Sequence, residues 1–199
     1  MNQQKVLSLE EIEALLKIDP AAAQDYLQRR QNERLKVVAE NLRDEAPLIS
    51  DLQRAGVRVS SVDDFLKRNC PLYPKAIPML LMHLSKSHLP DIRGAIARAL
   101  TCDEARSADR RPIVQAFLEE SDKSLNGPKW ELANALAFLA TQDDAAQLID
   151  WATNKDFGPA REPFVRKLGR MKTPSVQAVL TTLMDDPDVG GFARRALRR

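Results

Sequence analysis

The chain has 199 residues, 44% of them hydrophobic, with 30 Lys and Arg against 28 Asp and Glu; that is enough apolar material for one core with an appendage. An aromatic content of 5%, and no apolar run near the roughly 20 residues that span a bilayer, argue against an aromatic-rich β-sandwich and against a membrane protein. Cys70 and Cys102 suit neither a disulfide scaffold nor Cys-x-x-Cys zinc spacing. The first eleven residues lack a basic-then-apolar signal, so a soluble protein of the reducing cytoplasm is expected.

A net charge of +2 is too near neutral to imply a nucleic-acid partner. Residues 1–56 carry eight basic and ten acidic groups, whereas 57–126 and 127–199 each carry eleven against nine. Arg194, Arg195, Arg198 and Arg199 make the chain end basic. They read either as cations beside the last carbonyls of a helix or as a patch for phosphate or acidic groups.

Helical spacing dominates. Ser8, Leu9, Glu10 and Glu11 form a capping box that opens a short amphipathic helix with Leu9, Ile12, Leu15 and Leu16 on one stripe. Asp19 and Pro20 stop it and start the next, a helix expected over about 20–45. Residues 28–34 of that helix contain nothing apolar, and Tyr26, Leu27, Leu35, Val38 and Leu42 bracket the gap without a sustained heptad. Residues 1–45 are therefore expected to be an exposed helical arm, whose first helix, 8–18, either docks in another protein's groove or folds back on the repeats or frays. Pro47 should begin a separate helix over 47–55, ended by Gly56. Ser60 or Ser61 should cap the next turn, with Asp63 and Asp64 at its start. Residues 46–72 thus read as an N-terminal cap.

From residue 73 onward the chain resembles itself. Residues 92–100 align with 128–136 at an offset of 36, with 160–168 after a further 32, and with 189–197 after a further 29. Ahead of each copy lies a second apolar stripe: Ile77, Leu80, Leu81 and Leu84; Val114, Phe117 and Leu118; Leu148, Ile149 and Ala152; Val176, Val179, Leu180 and Leu183. Pro78 and Pro112 fall near the starts of the first two of these segments, where a missing N–H costs little. Each unit is a helix pair that cannot cover its own apolar face, so stacked pairs must supply the core.

On these residues the chain resembles the HEAT-repeat proteins over 73–199, through Asp91, Ile92 and Arg93 followed by Ala99 and Leu100, echoed by Asp188 and Val189 followed by Ala196 and Leu197. The resemblance implies an all-α fold, a solenoid of about four helix pairs, and a ladder of acidic and basic residues between repeats. That ladder should end at Gly190, which replaces the cation found at Arg93, Lys129 and Arg161. The architecture says little about activity.

Arg93, Arg98, Lys129, Arg161 and Arg166 recur on the off-core side of the second helices. They read either as a partner-binding wall or as a ladder neutralised by Asp91, Glu131 and Glu162. Trp130 and Asn134, four apart, share a face off the stripe of Leu132, Ala135, Leu136 and Leu139 and are candidate contacts on the same wall, Trp130 reading either as packing between repeats or as an interaction anchor. The HEAT-like alkylpurine DNA glycosylases place a Trp and a catalytic Asp on such a surface, but an amide at 134 lacks the required charge. His83 and His88, five apart, do not match a metal pair, and Asp63–Asp64, Asp143–Asp144 and Asp185–Asp186 suit turns and caps. The expected function is non-catalytic protein binding, as adaptor, scaffold or regulator, with no cofactor, metal or membrane. A nucleic-acid-binding role is the alternative.

Overall fold

The computed structural model describes residues 6–67 and 73–198, so the expectations at Cys70 and Arg199 lie outside it. All regular structure in the described residues is helical: ten α-helices joined by loops and 3-10 turns, with no strand. Contacts divide the chain into two units, Met1–Arg43 and Asp44–Arg199, with the division falling inside one long helix.

The first unit holds α1 (Leu9–Ile18) and the beginning of α2 (Pro20–Arg54). The capping box forms: the Glu11 N–H donates to Ser8 Oγ at 3.2 Å and the Ser8 N–H to Glu11 Oε2 at 2.8 Å. Asp19 caps α2 by accepting from the Ala22 N–H at 3.0 Å. The Leu7 N–H donates to the Tyr26 hydroxyl at 2.9 Å and Ala23 is fully buried, which ties the start of α1 to the second turn of α2. From Leu27 through Val38 every residue is exposed.

Instead of restarting at Pro47, α2 runs through it. The ring removes one backbone bond and crowds the preceding turn. Yet the same turns bury Glu45, Leu48 and Leu52, and that packing holds the helix together across the defect. Gly56, at φ +81°, ends the helix in the left-handed conformation, and the Val57 N–H reaches back to the Leu52 carbonyl at 2.9 Å.

The second unit begins with the last turns of α2 and a 3-10 turn, Val62–Leu66, capped by Ser61 and Asp64. Four helix pairs follow: α3 (Ile77–Leu84) with α4 (Pro90–Ala99), α5 (Arg111–Glu119) with α6 (Pro128–Leu139), α7 (Ala145–Thr153) with α8 (Glu162–Leu168), and α9 (Pro174–Thr182) with α10 (Gly190–Leu197). Second helices touch in sequence order, α4 on α6, α6 on α8 and α8 on α10, while α3 contacts α5 and α7 contacts α9. One continuous apolar core joins all four pairs. The central helix α6 is buried nearly all round, including Leu132, Ala135, Leu136 and Leu139. Two details differ from the sequence reading. Leu118 faces solvent because α5 turns Ile113, Ala116 and Phe117 inward. The third second helix starts at Glu162, after a 3-10 segment, Lys155–Arg161, kinked at Gly158 with φ +53°.

Candidate interaction surfaces

The structure sorts the seven candidate wall residues into two depths. Lys129 and Arg161 are buried. The Lys129 ammonium donates to the Glu120 carbonyl at 2.6 Å and lies 4.9 Å from the Phe117 ring and 5.0 Å from the Phe157 ring. Burial, reinforced by Lys123 and opposed by Glu120, pushes its pKa down. The Arg161 guanidinium donates to both oxygens of Asp186 at 2.9 and 2.8 Å and to Asp188 at 3.0 Å. These two cations are interior braces.

Trp130, Asn134 and Arg166 meet across α6 and α8, and Arg98 reaches from α4 to α6 at Glu131. Arg98 donates to Glu131 at 3.1 Å and lies 3.5 Å from Asp63. The Trp130 indole N–H donates to Glu162 at 2.9 Å. Arg166 lies 5.8 Å from the centre of that indole, donates to the Asn134 side-chain oxygen at 3.1 Å, and pairs with Glu162 at 3.0 Å. Arg93 is 3.4 Å from Glu120. Every arginine of the row therefore has a carboxylate beside it, and the indole N–H and the amide oxygen are both engaged within the protein.

Two further polar regions are likewise internally paired. A cleft of about 280 Å³ between α5, α6 and α7 is lined by Leu136, Leu148 and Trp151 and by Arg110 and Asp144, which bond each other at 2.9 and 3.0 Å. Near the chain end, Arg194 donates to the Met184 carbonyl and Arg195 stacks 4.5 Å from Phe192.

The arm is different. Leu27, Leu35, Val38 and Leu42 are all large, apolar and about half exposed along one side of α2, since positions 35, 38 and 42 follow helical spacing and 27, eight before 35, falls within the same arc of the helix. Arg34 and Arg43 border that stripe on its two sides and make no ion pair with the described residues. On α1, Leu9 and Leu16 are exposed, and the neighbouring Glu10 and Glu13 are equally unpaired there.

The structure also assembles a group the sequence reading left scattered. His83 Nδ1 lies 3.0 Å from His88 Nε2, His83 Nε2 lies 2.9 Å from Asp51, and His88 Nδ1 lies 2.8 Å from Asp44. Lys86 Nζ is 3.1 Å from His83 Nε2 and 3.5 Å from Asp51. The available signal was Asp44 and Asp51 seven apart, two turns of one helix, which places them on the same face. Their carboxylates sit at the outer ends of the two rings, and the described residues hold no group of three or more His, Cys, Asp or Glu suited to a metal.

Comparison of the chain with protein-family models, curated proteins and solved structures yields no match. No described helix is long and apolar enough to cross a membrane.

Proposed function

We propose that this protein is a non-catalytic protein-interaction module, an adaptor or regulator, in which a HEAT-like solenoid over residues 73–199 carries a docking arm. The observation that carries the reading is the row Leu27, Leu35, Val38 and Leu42, exposed along one side of α2. Apolar area gains about 25 cal/mol per Å² when it leaves water, and a helix turn that buries nothing relies on propensity alone. The wall of Arg98, Trp130, Asn134 and Arg166 is the secondary contact surface, because its cations are already matched by Glu131 and Glu162. The contacts of α4, α6, α8 and α10 in chain order favour the solenoid reading, in which each pair covers its neighbour's apolar face.

The test is affinity capture with the tagged full-length chain, followed by mass spectrometry, beside two variants: Leu35→Glu with Leu42→Glu, and Arg98→Glu with Arg166→Glu and Trp130→Ala. The expected result is a stoichiometric protein partner lost with the first variant and weakened by the second. Capture of nuclease-sensitive material alone, or a partner unaffected by either variant, overturns the proposal.

A further inference from the structure

The arm is electrically lopsided. Residues 9–25 carry five acidic groups, Glu10, Glu11, Glu13, Asp19 and Asp25, and one basic group, Lys17. Residues 28–43 carry five basic groups, Arg29, Arg30, Arg34, Lys36 and Arg43, and two acidic ones, Glu33 and Glu40. Of the basic groups, Arg29, Arg30 and Lys36 are paired within α2 to Asp25, Glu33 and Glu40. This leaves Arg34 and Arg43, beside the apolar stripe, as its uncompensated charge. The occupant that fits is an amphipathic helix with an acidic border.

The chain contains one. On α1, Leu9, Ile12 and Leu16 have the same i, i+3, i+7 spacing as Leu35, Val38 and Leu42 on α2, each trio spanning about 10 Å of helix. Leu9 and Leu16 are exposed, and Glu13 and Glu10 lie along one side of their stripe. Within one molecule α1 cannot reach the stripe. Its start is fixed at Tyr26 and its end is joined through Asp19 to the first residue of α2, so it lies beside the first turns of α2, short of residues 35–42. We infer that the occupant of the α2 stripe is α1 of a second copy of this chain, the contact being made twice about a two-fold axis.

Reciprocity follows from the charge pattern. An arm with one acidic and one basic end is self-complementary in an antiparallel pair and repels itself in a parallel one. Doubling the contact brings four short apolar stripes out of water in place of two. Like-charge borders would oppose any pairing of stripe with stripe, so the second copy's α1 is preferred over its α2.

The inference rests on the arm being a protein-docking element, and the test separates the two. Variant one, Glu10→Lys with Glu13→Lys, makes both stripes basic; variant two, Arg34→Glu with Arg43→Glu, makes both acidic. All four positions are exposed, and circular dichroism checks that helix content is retained. Sedimentation equilibrium of the full chain should give a twofold rise in mass from dilute to concentrated solution, reduced by salt, which screens exposed charges. Each variant alone should stay at monomer mass, and an equimolar mixture should regain the doubled mass as a heterodimer. A chain that is monomeric throughout, variants that dimerise as the parent does, or a mixture that stays apart overturns the inference. If the monomeric chain still captures a different protein through Leu35 and Leu42, the docking function stands and the second copy is wrong; loss of all stripe-dependent capture removes both.

Discussion

His83 and His88 face each other ring to ring, with Nδ1 of the first 3.0 Å from Nε2 of the second. A carboxylate can only accept, so His83 Nε2, 2.9 Å from Asp51, carries the hydrogen and donates to it. Asp51 then takes its countercharge from Lys86 and Arg54. Burial, opposed by that Asp51 hydrogen bond and aided by Lys86 and His88, leaves the His83 pKa below its ordinary 6.5.

A depressed histidine pKa means the unfolded chain binds the proton more readily. The stability that neutral His83 contributes is therefore complete above 6.5 and falls as pH drops below that value toward the lower folded-state pKa. Asp51, held below its ordinary 3.8 chiefly by its hydrogen bond to His83, adds a second loss in stronger acid. Urea midpoints should fall from about pH 8 to about pH 5, and His83→Gln should flatten that slope. A flat profile in the parent, or greater stability in acid, contradicts this account of the histidines.

Arg161 is the largest fully buried side chain, and its fork on Asp186 braces the 3-10 segment before α8 against the turn before α10. Burial alone would raise the Asp186 carboxyl, yet Arg161 and the N–H groups of Val189 and Asp188 hold it below its ordinary value. Arg161→Met should cost about 3–5 kcal/mol because it strands a buried carboxylate. Adding Asp186→Leu to Arg161→Met should recover part of the loss. Chemical denaturation of the single and double variants measures both numbers.

Neighbouring glycines at the start of α10 should behave oppositely. A Cβ on Gly190 would strike the Met184 carbonyl oxygen, which is backbone and cannot swing away, whereas Gly191 has nothing within 4 Å. Gly190→Ala should destabilise by about 1–3 kcal/mol. Gly191→Ala should stabilise by up to about 1 kcal/mol through helix propensity. Thermal melts of the two variants suffice, and equal shifts would contradict the contact.

Pro47 sits exposed in the interior of α2. Pro47→Ala should restore a backbone bond to the Arg43 carbonyl and stabilise the helix, by up to about 3 kcal/mol. A lower urea midpoint in the variant would show that the proline suits its position.

What was legible in the sequence was local. The Ser8–Glu11 box, the Asp19 cap, the Gly56 stop and the four helix pairs depend on residues a few positions apart, so spacing and residue type suffice. Pro47 marks a helix start by propensity alone, and the burial of Leu48 and Leu52 in the core overrides it. Leu118 belongs to an apolar stripe too short to fix its own rotation to better than about one residue, and it faces solvent. On the wall, spacing identified the row of cations but not its depth. Lys129 and Arg161 are sealed by Phe117, Phe157 and Asp186, which arrive from a helix, a 3-10 segment and a turn, and the histidines meet Asp44 and Asp51 only in three dimensions.

The central claim, that residues 27–42 form a docking stripe occupied by a second copy, is tested most directly by amide hydrogen exchange of the full-length chain in dilute and in concentrated solution. The account predicts that peptides covering Leu35, Val38 and Leu42, together with those covering Leu9 and Leu16, become protected as concentration rises, while peptides from α6 do not change. Exchange over 27–42 that stays fast and concentration-independent would contradict it.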